Sequence, residues 1–190
     1  MKRLIALLAV LGLFATAHAE TYTIDPVHSS LGFQVRHNLV SKVPGSFTKF
    51  TGTISYDAAA PEKSSTQATI EVGSVSTANE KRDGHLKSPD FFDAVKFPTI
   101  SFASTAWKKT GENTFDVTGD LTIHGVTKSV VLKTTLLGTG PGMGGSTVSG
   151  WEATATINRR DFGVDGPAML GKVVSDEVSI SLSIEAGLKK

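Results

Sequence analysis

Apolar and polar side chains alternate with period two through most of this chain, and that alternation constrains the fold more than any other feature. In residues 113–124, Phe115, Val117, Gly119, Leu121 and Ile123 fall on one face, with Thr114, Asp116, Thr118, Asp120, Thr122 and His124 on the other. Successive side chains point to opposite faces of a strand, so this is a half-buried strand and not a helix. Residues 178–184 repeat the pattern, with Val178, Ile180, Leu182 and Ile184 opposite three serines. Similar segments near 30–38, 46–57, 66–75, 98–109, 128–138 and 147–158 bring the count to eight. Tight turns at Lys109–Glu112 and His124–Val126 join 98–138 into a three-stranded antiparallel meander. A second turn or short helix is expected at 39–43. Only one stretch argues clearly for helix. Thr77-x-x-Glu80 has capping-box spacing and Pro89 is a stop, which predicts a short helix near 78–87 despite Gly84.

Clean alternation can close as a barrel or stack as a sandwich. Several segments reach about 11–12 residues, longer than the usual five or six. At about 3.3 Å per residue and a tilt of about 40° they stand roughly 30 Å tall, which suits an up-and-down barrel. Gly52, Gly73, Gly119 and Gly150 fall inside strands, where they permit the bends of a barrel wall. The expectation is an all-β, eight-stranded antiparallel β-barrel in a single domain, residues 20–190. Its interior is wide enough to be filled or to hold one slender ligand.

The first nineteen residues read as an address. Lys2 and Arg3, the apolar run Leu4–Phe14 and the A-x-A site Ala17-His18-Ala19 form a secretory signal peptide, cleaved after Ala19. No later stretch is long and apolar enough for a transmembrane helix, so no integral membrane segment is expected. Loss of Lys2 and Arg3 leaves 17 Lys and Arg against 18 Asp and Glu, turning a formal +1 into −1. That balance, with no block of like charge, excludes an electrostatic footprint for nucleic acid. Cysteine is absent, which excludes disulfides, thiol catalysis and cysteine-ligated metals.

The strands carry a set of signatures. His28-x-x-x-x-Phe33-x-Val35-x-His37 leads into Val43-Pro-Gly45-x-Phe47-x-x-Phe50-x-Gly52-Thr-Ile54. Arg82-Asp-Gly-His85-Leu-Lys-Ser-Pro-Asp-Phe91-Phe92-Asp93, Phe97-Pro-Thr-Ile-Ser-Phe102, Gly119-Asp-Leu-Thr-Ile-His-Gly125-Val-Thr-Lys and Asn158-Arg159-Arg-Asp161-Phe-Gly163-Val follow. In this order, from about Thr21 to Ile184, the set resembles the YceI-like family of bacterial periplasmic, polyisoprenoid-binding proteins. The resemblance implies a lipocalin-like barrel with an elongated apolar cavity. It also implies a periplasmic protein that sequesters or carries a long-chain amphiphile: a polyisoprenoid such as a prenyl pyrophosphate, a quinone precursor, or a fatty acid or its amide.

Phe33, Val35, Phe102, Phe115, Val117, Ile157, Ile180 and Leu182 are expected to face inward, each as core filler or as ligand contact. Arg82 and His85, in the basic segment 81–87, are the candidates for a polar headgroup, or else bond the barrel rim. His28 and His37 could point inward or serve as structural histidines at strand ends, and His124 is a turn residue. Arg159-Arg160-Asp161 could hold an ion pair that pins the link after the seventh strand. The glycines of 138–145 lack a following helix and Lys-Ser/Thr, so they form a loop and no phosphate cradle. The histidines lack metal-site spacing, and no catalytic residue, cofactor or metal is expected. Two other readings stay open. One is an enzyme on the same lipid, with His28, His37 or His85 as general base near Asp83. The other is a secreted protein-interaction module with a filled barrel. The sequence is compatible with a homodimer.

Overall fold

The computed structural model describes residues 19–169 and 173–189, so the expected signal peptide lies outside the described residues except for Ala19. Eleven strands form one sheet: β1 (Glu20–Ile24), β2 (Ser30–His37), β3 (Ser41–Phe47), β4 (Phe50–Tyr56), β5 (Ser65–Glu71), β6 (Val75–Ser76), β7 (Thr99–Lys109), β8 (Thr114–Ile123), β9 (Val126–Pro141), β10 (Thr147–Asn158) and β11 (Val174–Leu188). Among the described residues one α-helix, α1 (Glu80–Lys87), lies between β6 and β7.

The ring runs β1–β4–β5–β7–β8–β9–β10–β11 and closes by antiparallel pairing of β1 with β11, Tyr22 opposite Leu188 and Ile24 opposite Ala186. The other half of β11 pairs with β2, β2 with β3, and β3 with β6. Three staves of the barrel are therefore each broken in two: β1/β2, β3/β4 and β5/β6. Counted by stave the wall has eight, the expected number, and each neighbours the next in sequence. The meander over β7, β8 and β9 is as expected, from Ser101 opposite Thr122 to Ile123 opposite Val126, with one register shift in β7 between Ser104 and Ala106.

Polar side chains carry the backbone across the breaks, where the ladder fails and amides would otherwise lack a protein partner. Ser29 Oγ accepts from Glu185 N at 3.0 Å and donates to Glu185 O at 3.2 Å. Ser74 Oγ accepts from Lys49 N at 3.1 Å, and Thr48 N donates to Ser74 O. Alternation inside each half survives, but the register of the break is set by these contacts.

At 39–43 the expected turn or short helix is a turn: Val40 N donates to His37 O, and β3 begins at Ser41. Local structure departs from expectation at two places. The cap of α1 is Asn79, whose side chain accepts from Arg82 N, not Thr77. Glycine in the strands makes room as much as it bends them. A Cβ on Gly119 would lie 2.4 Å from the Phe102 ring, and one on Gly45 would lie 2.2 Å from the Phe33 ring. A register shift does fall at Gly150/Trp151.

The β1/β2 corner is held on the outside by His28 Nδ1, 2.7 Å from Asp25 Oδ2 and 3.8 Å from Glu185 Oε1. The bond to Asp25, helped by the charges of Asp25 and Glu185, raises the His28 pKa above its ordinary 6.5, and His28 in turn lowers that of Asp25. A raised folded-state pKa contributes stability below the unfolded value and loses it as pH climbs through the folded one. The melting temperature of His28→Gln should therefore fall below wild type under acidic conditions near pH 6. The two should converge as pH rises past the folded His28 pKa, a profile that thermal scans across pH will test.

Candidate functional site

The barrel encloses a cavity of about 670 Å³, within the roughly 300–1,000 Å³ usual for small-molecule sites. Its walls are the inward faces of the staves. Phe33 and Val35 come from β2, Phe102 from β7, Val117 from β8, Ile157 from β10, and Ile180 and Leu182 from β11. Ten of the eleven sequence-selected residues line this space, with His37 at the end of β2 and Arg82 and His85 on α1 completing the set.

Phe115 is the exception. It is 1% exposed and lies below the cavity, in an aromatic floor with Tyr56, Trp107 and Trp151. Tyr56 meets Trp151 edge-on at 5.1 Å and Trp107 meets Trp151 at 5.8 Å. Such pairs contribute about 0.5–1.5 kcal/mol each beyond area burial. Trp151 Nε1 donates to the buried Ser149 Oγ at 3.0 Å. Trp107 Nε1 has no oxygen or nitrogen partner and sits among the rings of the other three. Alternation identified Phe115 as inward but carries no information on depth along the stave. The floor seals the end at which β4 and β11 finish.

The opposite end is polar at its rim. Asn79, the cap of α1, and Lys81, Arg82 and His85 of the helix border the cavity, across from His37, Val43 and Pro44 of the β2–β3 hairpin and Val174. Arg82 is braced rather than free: Nε donates to Thr77 Oγ1 at 2.7 Å and Nη2 to Thr77 O at 2.8 Å. Thr77 in turn donates through Oγ1 and N to Asp83, and those bonds hold the Asp83 carboxyl below its ordinary pKa. His85 Nε2 lies 2.8 Å from Asp90 Oδ2 and packs edge-on against Phe91. The His85–Asp83 pairing that a general base would require is thus not assembled, because each group has another partner.

His28 lies outside the cavity at the β1/β2 corner, and His124 occupies the β8–β9 turn in left-handed conformation, packed on Phe97. Among the described residues one group offers three metal-ligand atoms within 4.8 Å: Asp25, His28 and Glu185. Its members are at or near the surface and already bonded to one another; Glu185 is too far along the chain for sequence spacing to reveal the group. The glycines of 138–145 lie in β9 and the loop that follows, away from the cavity lining.

The ion pair expected at Arg159-Arg160-Asp161 to pin the link after the seventh strand forms, with a different carboxylate. Arg159 is 7% exposed, borders the cavity and bonds the loop that crosses this end. Nη1 donates to Val164 O at 2.8 Å and to Asp165 O, Nε to Ser175 O at 3.1 Å, and Nη2 to Asp176 at 2.9 Å. Asp176, not the adjacent Asp161, is the counter-ion, shared with Arg160 Nε at 2.7 Å. Burial pulls the Arg159 pKa down and Asp176 opposes it. The guanidinium fork fits because three carbonyls and a carboxylate converge on it.

Comparison with known proteins places these features in a family. The YceI-like domain matches residues 22–186. A UPF0312 protein of Pseudomonas savastanoi pv. phaseolicola is 41% identical over 176 residues, covering 92% of this chain and 90% of that protein. The crystal structure of Burkholderia cenocepacia BcnA is similar with a TM-score of 0.79 and 27% identity, covering 86% and 99% of the two chains. Campylobacter jejuni YceI gives 0.71 and 32%, covering 80% and 88%. A domain from Saccharophagus degradans described as polyisoprenoid-binding gives 0.70 at 16% identity, covering 88% and 98%, and shares the fold.

Two substitutions separate floor from lid. Phe115→Ala should cost about 3–5 kcal/mol by opening a void in the aromatic cluster. Arg159→Ala should cost about 1–3 kcal/mol by leaving the carbonyls of Val164, Asp165 and Ser175 without their donor, while Asp176 keeps Arg160. Urea unfolding measures both, and Arg159→Ala alone should speed proteolysis within 159–173.

Proposed function

Because the chain belongs to the YceI-like family, we propose that it is a lipid-binding protein that holds one long-chain amphiphile in its barrel, as a periplasmic carrier or buffer. The proposed ligand is a polyisoprenoid, a quinone precursor, or a fatty acid or its amide. The description of the S. degradans neighbour as a polyisoprenoid-binding domain supports this class.

The observation that carries the reading is the contrast between wall and rim. The wall is aliphatic and aromatic apart from the hydroxyls of Thr66 and Thr134, and the charged groups gather at the α1 end. Buried hydrocarbon contributes about 0.8 kcal/mol per methylene, so ten methylenes give about 8 kcal/mol before ordering costs. Affinity would therefore come from chain length, and the rim would meet the headgroup. Lys81, Arg82 and His85 suit a phosphate, carboxylate or amide oxygen. We assign no catalytic residue, since binding alone accounts for this division of labour.

The test is the content of the protein purified from its native compartment. Native mass spectrometry and organic extraction should yield a stoichiometric prenyl or acyl chain. Ala68→Phe, which fills the cavity from β5, should weaken retention at least ~tenfold while circular dichroism stays that of the barrel. An empty native protein that also retains no prenyl or acyl chain offered in vitro would overturn the reading.

A further inference from the structure

The tip of the β2–β3 hairpin carries Leu39 and Val40, 74% and 85% exposed. The hairpin belongs to the mouth end of the barrel, and its own residues His37 and Val43 line the cavity. Two further exposed aliphatic side chains, Val95 and Met169, lie on the other loops of this end, 95% and 81% exposed.

Each feature of the tip works against the stability of the isolated barrel. Asn38 and Leu39 both have positive φ, 51° and 61°. Glycine and asparagine tolerate that region, whereas a bulky residue such as leucine is an outlier there. Arg36 and Lys42 stand directly opposite each other across the hairpin, and like charges in that register repel. Neither forms an ion pair among the described residues. From Pro26 to Tyr56 the chain has no Asp or Glu, and Glu177 of β11, which shares a small groove with both, pairs with neither. Two aliphatic side chains at an apex with cations behind them make up the arrangement that an anionic lipid surface satisfies. The apolar tips leave water for the acyl boundary, and the cations meet phosphate.

We propose that the protein docks on an anionic phospholipid bilayer through this hairpin, with Leu39 and Val40 inserted and Arg36 and Lys42 at the headgroups. Docked in this way, the mouth faces the bilayer, and a long hydrocarbon passes between membrane and cavity without crossing bulk water. Docking serves the lipid cavity proposed above, yet it depends on the hairpin alone.

The experiment is co-sedimentation of the full mature chain with vesicles of phosphatidylethanolamine and phosphatidylglycerol, beside vesicles of phosphatidylcholine. The wild type should partition onto the anionic vesicles, less so at high salt. Leu39→Ser with Val40→Ser should lower the partition constant about tenfold, and Arg36→Gln with Lys42→Gln should remove the preference for anionic vesicles. Both double variants should retain a fluorescent acyl or prenyl probe in solution as the wild type does. Leu39→Gly should raise the melting temperature while weakening sedimentation, which separates docking from folding. Absence of wild-type sedimentation, or sedimentation unchanged in the Leu39/Val40 variant, overturns the proposal. So does concentration-dependent self-association abolished by that variant, because the tip would then be an interface between copies. Vesicle binding by a protein that retains no probe would sustain docking and remove the cavity function.

Discussion

Everything in this barrel depends on the pairing of the β1/β2 stave with β11. A sheet with eight staves has two edges unless its first and last strands meet, and each edge presents a row of unpaired amides and carbonyls. The run from Tyr22 to Ile24 against Ala186 to Leu188, continued by β2 against the first half of β11, pairs the first stave with the last. Closure also turns one face of every stave away from water, and that permits a wall of side chains as apolar as Phe102, Leu121 and Ile180. No disulfide shares this task, because the chain has no cysteine.

Closure alone would give a tube open at both ends. The two ends are finished differently, and the difference sets the chemistry. At one, four aromatic rings pack against one another, and the Trp107 indole N–H has no hydrogen-bond partner. At the other, hydrogen bonds do the work: Arg159 ties a loop to β11, and Thr77 links Arg82 to Asp83. Aromatic packing is insensitive to pH and salt, whereas the polar end is built of groups that respond to both. The permanent seal and the adjustable rim are thus separated by the length of the barrel.

Much of the wall was legible in the sequence. Alternation assigned the inward face of β8 and β11 residue by residue, and ten of eleven chosen side chains reach the cavity. Periodicity is local, however, and the remaining features are not. The breaks in three staves arise from contacts between segments far apart in the chain, such as Ser29 with Glu185. Phe115 and Val117 are two residues apart on the same face, yet one is floor and the other wall, a distinction that only the closed cross-section makes. Arg159 lies in a 3-10 turn, outside any period, and its partner Asp176 belongs to the next strand. His85 found Asp90 beyond the helix end rather than Asp83 within it, because residues two apart on a helix do not face each other.

The aromatic floor has one more consequence. A cavity closed at one end admits a linear molecule only end-on and releases it by the same route. The distance from floor to rim then acts as a gauge. A chain shorter than that depth leaves a void that must be filled or tolerated, and a longer one pushes its headgroup past α1 into solvent. Discrimination among homologous chains would thus be written in how far the headgroup stands from the rim. A residue such as Trp107, far from any headgroup, would set which chain length brings that group level with Arg82.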